Sequence, residues 1–365
     1  MKQLFVIDSK WHDKVVQTAF ENIGYTQQET LQVVRNCRGA LENGVRTHNA
    51  IKALHLESLF GSKVGGTVCG ANIIKKKGRF SSVRVWDAQK KIGPPVAYEA
   101  IEECAALADC HGIGAVAVDN AWHYFWGGGY VLELANRGFI GFTLCSAMLS
   151  EVVPFGGSKS TLGTNPHSWG IPTQEVCGFP VLIDWATSTI SMGKVQQFAR
   201  EGQKLPPNSA VDSEGNITRD PTKVNGLLPF GAHKGYGLSL LNELFAGLIG
   251  GWKPTERGRF SDGVKKATSS FYFMAIHPDA IAGEYVTGDR TKNLATIISD
   301  ILGDGNSDAI LPGQKEYEAR CQNKKSGGLL VTHAEFDAFN DVAKSNGISP
   351  HKEIQLEKKN ENEEI

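Results

Sequence analysis

The sequence predicts an α/β protein with a helical N-terminal domain and a mixed or mainly antiparallel sheet. Two patterns carry that expectation. Apolar residues recur at helical spacing through the N-terminal region, with few β-like runs among them. Beyond Gly78, short β-like runs alternate with longer helical ones, and several runs follow one another without a helix long enough for a parallel crossover.

Val15, Val16, Ala19, Phe20 and Ile23 fall on one side of a first helix. A second helix starts at Thr26, which with Glu29 makes a capping-box pattern. It carries Leu31, Val34, Ala40 and Leu41 and breaks at Asn43-Gly44. A third presents Ile51, Leu54, His55, Ser58 and Leu59 along one side. Gly65, Gly66 and Gly70 then mark a turn before the basic stretch Lys75-Lys76-Lys77-Gly78-Arg79 and the alternating Val83-Arg84-Val85-Trp86.

Residues 94–111 read as a helix and 114–118 as a buried strand. Further strands are expected at 142–145, 180–184 and 270–276, with helices at 129–137, 189–201 and 234–249. Residues 203–230, rich in Pro, Asn, Asp and Gly, read as an extended surface loop suited to a lid or an interface. Residues 328–331 make a short strand, after which Thr332 and Glu335 cap a last helix. The expected division is a helical domain at 1–70 joined by 305–350, a mixed α/β domain at 71–304, and a mobile polar tail at 351–365.

Composition narrows the function classes. With 41% hydrophobic and 21% charged residues and a formal net charge of -1, neither a disordered chain nor a nucleic-acid partner is expected. The seven cysteines are scattered and include no Cys-x-x-Cys, which fits a reducing cytoplasm. The apolar run Leu4-Phe5-Val6-Ile7 is too short for a signal peptide, and no stretch reaches the roughly 20 apolar residues of a membrane span, so no membrane partner is expected. No His-x-His or His-Glu-x-x-His occurs, and no metal is expected.

Residues 154–170 set Gly156, Gly157, Gly163 and Gly170 among hydroxyl donors and Lys159, which suits backbone wrapped around a polar ligand. His233-Lys234 precede Gly235-Tyr236-Gly237 at the start of a helix, where amides and cations meet an anion. Glycines there cost helix stability, which favours close approach of backbone or ligand. There is neither a P-loop nor a Gly-x-Gly-x-x-Gly strand-helix unit, so a bound dinucleotide would be held another way.

Thr47-His48-Asn49 stands near the third helix with Lys52 four residues beyond His48. One group can exchange a proton and the other hold an anion, although a solvated surface pair has the same spacing. His123 follows Asn120-Ala121-Trp122 at a strand end, where it can serve a site or pack among aromatics. The helix start at Gly128-Gly129 after it can admit a cofactor phosphate or merely allow a tight turn. Asp184 and Thr187 offer a carboxylate and a hydroxyl for a ribose or phosphate, or a strand end and a helix cap.

Four ordered stretches carry a family resemblance. They are Asp119-Asn120-Ala121-Trp122-His123; Pro154-Phe155-Gly156-Gly157 with Leu162-Gly163-Thr164-Asn165-Pro166; Leu182-Ile183-Asp184-Trp185-Ala186-Thr187-Ser188; and His233-Lys234-Gly235-Tyr236-Gly237-Leu238. Together they resemble the malate/L-lactate dehydrogenase family, whose nucleotide-binding sheet is not of the Rossmann type, over about residues 10–320.

The resemblance implies a homodimeric oxidoreductase using NAD or NADP on a small carboxylate substrate. His48 would be the general acid/base beside Thr47, Lys52 would anchor the substrate, and His123 would help shape its pocket. Asn120, Gly156, Gly157, Thr164, Asn165, Asp184, Thr187, His233, Lys234 and Gly235 would surround the cofactor. Where the family carries Ser-His-Gly followed by arginine, this chain has Thr47-His48-Asn49 and Lys52, and lysine lacks arginine's two-donor fork. The expected reaction is 2-hydroxy acid/2-oxo acid interconversion. The alternatives are reduction of a cyclic imino acid or sugar-derived keto acid, or dinucleotide binding without turnover.

Overall fold

The computed structural model describes residues 4–250, 268–282, 290–306 and 308–352. Two compact units emerge, Met1–Ser58 with Lys315–Ile365, and Leu59–Gln314. The tail expected to be mobile lies, beyond Lys352, outside the described residues.

The first unit is helical around one small sheet. Strand Leu4–Ile7 pairs antiparallel with Leu329–Thr332, so residues near the two ends of the sequence share a ladder. The first of these strands escaped the sequence reading because four apolar residues in a row show no period. Helices Ser9–Ile23 and Gln27–Glu42 bury Val15, Val16, Ala19 and Phe20 and Val33, Val34, Cys37, Ala40 and Leu41. Leu31, placed on the apolar face from sequence, is instead 49% exposed. Capping boxes at Thr26/Glu29 and Thr332/Glu335 start their helices as expected.

The second unit is built on a seven-stranded sheet. Its spatial order is Ile74–Lys77, Val83–Asp87, Ile113–Ala121, Ser269–Ile276, Ile140–Ser146, His167–Ile171 and Val181–Trp185. Val83–Asp87 runs parallel to Ile113–Ala121, joined by the crossover helix Gly93–His111, and the other neighbours are antiparallel. This is the mixed, mainly antiparallel sheet that the sequence predicts.

Alternation along Ser269–Ile276 sorts its two faces. Phe271, Phe273 and Ala275 join the core that includes Val96, Ile101, Tyr130 and Leu134 of helices Gly93–His111 and Gly127–Asn136. Tyr272 meets Phe142 and Phe245, the latter on helix His233–Gly250. The sheet is therefore covered by helices on both faces.

Two sequence expectations need correction. Residues 203–230 are not a plain surface loop, because Ala210–Val211, Ile217–Thr218 and Gly226–Leu227 form a three-stranded sheet. Leu205, Ala210 and Leu227 are buried there with Val152, Leu162 and Val195. The glycine-rich residues 154–170 also divide: their end becomes strand His167–Ile171, and a side chain at Gly170 would collide with the carbonyl of Val131 in the overlying helix.

Candidate active site

His48 closes a 3₁₀ turn, Arg46–His48, rather than lying on the helix that follows. Helix Ala50–Phe60 buries Ala50, Ala53, Leu56 and Glu57, whereas His55, Ser58 and Leu59 of the predicted face are exposed. Thr47 Oγ1 lies 3.0 Å from His48 Nδ1, so the hydroxyl and ring share a hydrogen bond. His48 is half-buried, and desolvation followed by the charge of Lys52 lowers its imidazole to about 4. At neutral pH the ring is a neutral proton acceptor.

Asn49, the bulky departure from glycine, is buried and already occupied. Its Oδ1 accepts from the Lys52 amide at 3.2 Å and its Nδ2 donates to Glu335 Oε1 at 3.2 Å. Thr47, His48 and Lys52 thus stand together in the first unit, and the other candidate residues belong to the second.

In the second unit, His123 sits between left-handed residues. Asn120 has φ +55° and Phe125 has φ +60°, conformations that non-glycine residues seldom adopt. The turn is held by Asn120 Nδ2 donating to Asp87 Oδ1 at 3.0 Å and by the Lys90 amide donating to the Asn120 carbonyl at 2.7 Å. His123 Nδ1 accepts from the Phe125 amide at 3.0 Å, which makes Nε2 the protonated nitrogen of the neutral ring. Its ring is edge-on to Trp122 and Phe125, with centroids 5.3 and 5.0 Å away.

At the helix start, Gly127 and Gly128 are buried and closely packed. A side chain at Gly127 would meet Ser168 Oγ and Tyr124, and one at Gly128 would meet the Trp126 ring. These glycines serve packing.

The loop at Gly156-Gly157 is open by contrast. Gly156 has φ +81° and a Cβ there would meet nothing within 4 Å, while the Gly157 amide donates to the Pro154 carbonyl at 2.9 Å. The exposed Phe155 ring lies 6.0 Å from that of His233. His233 and Lys234 are exposed at the start of helix His233–Gly250, where the helix dipole favours negative charge although the amides of Lys234, Gly235 and Tyr236 already donate to the carbonyls of Gly231, Phe230 and Ala232. Gly235 is needed for close backbone approach, since a Cβ would clash with the carbonyls of Phe230 and Thr187.

Thr164, Asn165 and Thr187 fasten this region together. Thr187 donates its amide and hydroxyl to the Thr164 carbonyl. Asn165 accepts from the Ala147 amide at 2.9 Å and donates to the carbonyl and hydroxyl of Ser239 at 3.1 and 3.0 Å. Both are fully buried. Asp184 receives Trp126 Nε1 at 2.9 Å and Ser168 Oγ at 2.6 Å. Sequence reasoning missed Trp126, Ser168 and Ser239, whose roles depend on partners 58, 16 and 74 positions away.

These residues suit an anionic dinucleotide: the exposed Lys234 ammonium and His233 imidazole stand at a long helix's N-terminus beside an unobstructed glycine loop. Ser150 Oγ and Trp185 Nε1 are buried without a protein partner, donors that a polar ligand can satisfy. Among the described residues, no group of three or more His, Cys, Asp or Glu is placed to hold a metal.

Residues 7–340 match the family model described as malate/L-lactate dehydrogenase. The chain is 36% identical over 283 residues to a malate dehydrogenase of Pyrococcus abyssi, covering 73% of this chain and 75% of that protein. It is 28% identical over 335 residues to a delta(1)-pyrroline-2-carboxylate/delta(1)-piperideine-2-carboxylate reductase of Pseudomonas putida, covering 90% and 94%. Its fold is similar to that of sulfolactate dehydrogenase from Methanocaldococcus jannaschii, with a TM-score of 0.79 at 23% identity over 94% of this chain and 98% of that one. The chain therefore belongs to the malate/L-lactate dehydrogenase family, NAD(P)-dependent oxidoreductases that interconvert 2-hydroxy and 2-oxo acids.

Proposed function

We propose that His48 is the acid/base of this oxidoreductase and Lys52 its carboxylate anchor. The observation that carries the reading is a neutral imidazole hydrogen-bonded to Thr47 and electrostatically coupled to Lys52. In the oxidative direction His48 takes the proton of the 2-hydroxyl. The C2 hydride leaves at the same time, and the oxidised nicotinamide, when bound, supplies its acceptor. In the reverse direction a protonated His48 returns its proton to the carbonyl oxygen.

Lys52 ties the two roles together. A substrate carboxylate beside its ammonium offsets the charge that depresses His48, so binding itself raises the proton affinity of the ring. His123, its Nδ1 accepting from the Phe125 amide, is held in a fixed orientation suited to shaping a pocket wall. His233, Lys234, Gly156 and Gly157 hold the phosphates of NAD or NADP. Asn120, Thr164, Asn165, Asp184, Thr187 and Gly235 support them from behind.

A second reading is favoured by the Pseudomonas putida reductase, which aligns over most of both chains. A cyclic imino acid offers the same carboxylate to Lys52 and an imine nitrogen to His48. Oxidation of NADH and NADPH against oxaloacetate, pyruvate, sugar-derived 2-oxo acids and piperideine-2-carboxylate separates the readings. Turnover of only the cyclic imine would displace the keto-acid substrate, and cofactor binding without turnover would displace the enzyme.

The protein acts as a homodimer in the cytoplasm. Leu240, Leu244 and Leu248 repeat every fourth residue along one helix and are 37, 57 and 82% exposed, an apolar stripe suited to a partner surface. None of the seven cysteines, all among the described residues, forms a disulfide, which suits a reducing compartment. Sedimentation of the full chain tests the dimer.

A further inference from the structure

The carboxylate of Glu335 does more than cap its helix. A capping box uses one acceptor oxygen, and here Oε2 receives the Thr332 amide at 2.8 Å and the Thr332 hydroxyl at 3.0 Å. The other oxygen, Oε1, accepts from Asn49 Nδ2 at 3.2 Å across 286 positions of sequence. Arg46 Nε lies 4.0 Å from Oε2, and the Glu335 side chain is only 18% exposed. One carboxylate therefore engages Arg46, which opens the 3₁₀ turn, and Asn49, which follows it, with His48 held between them.

Asn49 is itself a joint. It is 3% exposed, and its Oδ1 caps helix Ala50–Phe60 by accepting from the amide of Lys52. The same residue therefore ends the turn that carries His48 through its backbone N–H, starts the helix that carries Lys52 through Oδ1, and fastens both to the last helix through Nδ2. Capping alone does not require this residue, since serine caps a helix as well as asparagine does. What serine lacks is a donor long enough to reach Glu335 while its oxygen holds the cap.

We propose that Asn49 and Glu335 are positioning residues that hold His48 and Lys52 in their working relation, making the C-terminal helix part of the active-site support. This rests on His48 being the acid/base. Asn49 touches no substrate in this account and acts through the backbone it fixes. The neighbouring charges within this arrangement are Arg46, Lys52 and Glu335, and the Thr47 hydroxyl completes the surroundings of the ring within the turn.

The test uses the full chain with Asn49→Ser and Glu335→Gln. Serine preserves the cap, and glutamine preserves the capping-box pattern while turning a donor toward the Asn49 amide. Each variant should lower kcat about tenfold and leave the cofactor KM within about twofold, because loosened reacting groups lose rate before binding. The double variant should be no worse than about the poorer single one, since both break the same link. With or without a good substrate, the His48 imidazole signal in histidine-labelled protein should titrate higher in both variants, as the turn loosens from the last helix and water reaches the ring, relieving part of the desolvation that depresses it.

An unmoved His48 signal with unchanged kcat in Asn49→Ser, alongside a loss of thermal stability in Asn49→Ala, would reduce Asn49 to an ordinary cap and overturn the proposal. His48→Ala, run in parallel, distinguishes the failures. Full turnover in His48→Ala removes the acid/base reading and the positioning role with it. Lost turnover there with an unaffected Asn49→Ser removes the positioning role alone.

Discussion

Thr187 gives both its backbone amide, at 2.8 Å, and its hydroxyl, at 3.0 Å, to the carbonyl of Thr164. Its own carbonyl accepts from the Phe230 amide at 3.0 Å, just before the turn into helix His233–Gly250. The residue thereby ties the segment after the glycine loop to the start of the helix that bears His233 and Lys234. Valine fills the same space without the hydroxyl, so Thr187→Val should cost about 1 kcal/mol of stability. It should also raise the cofactor KM by roughly threefold with little change in kcat. Chemical denaturation and steady-state kinetics measure the two effects.

The depressed imidazole of His48 makes stability depend on pH. Its folded value of about 4 lies below the ordinary 6.5, so between them the unfolded chain binds a proton that the folded chain refuses. The contribution is fully present above 6.5 and is lost as the pH falls toward 4. Its ceiling is roughly 3 kcal/mol, reduced by the partial access of water to the ring. The difference in unfolding free energy between the parent and His48→Gln, followed over this window, should shrink with acidification. Lys52→Met should raise the His48 titration midpoint yet leave it below the ordinary value, because burial, the larger cause, remains.

At the start of helix His233–Gly250, Lys234 is exposed beside an open glycine loop. Lys234→Met should weaken cofactor binding about fivefold to tenfold at low salt and flatten its salt dependence, since one screened charge contact is gone. The rate of the bound complex should stay within about twofold. Cofactor titration by nicotinamide fluorescence at several ionic strengths reads this directly.

Much of the architecture was legible in the sequence because local rules agree with the fold. Thr26/Glu29 and Thr332/Glu335 announce helix starts through side chains three residues apart, and the alternation at Val83-Arg84-Val85-Trp86 announces a strand. The same rules failed where long-range partners decide. Nothing local in Ser269–Ile276 says that it inserts between Ile113–Ala121 and Ile140–Ser146, and the polar composition of residues 203–230 hides a small sheet with a buried face.

The site was legible as residue types rather than as roles. Thr187 does not cap the helix that follows, which Ser191 caps, and its hydroxyl bonds the Thr164 carbonyl, a partner that no local pattern names. The packing of Gly127 against Tyr124, and of Gly128 against Trp126, depends on ring positions that the glycine run itself does not announce. Asn49 stood out as a departure from glycine, while its partner Glu335 could not be found from sequence, being a capping residue with one oxygen left over.

The most direct test of His48 as acid/base is the rate of NADH or NADPH oxidation by His48→Ala, measured with whichever 2-oxo acid or cyclic imino acid the parent reduces fastest. The rate should fall by about 10²- to 10⁴-fold while the cofactor dissociation constant stays within about twofold. Turnover equal to that of the parent, with the same cofactor affinity, would contradict the account.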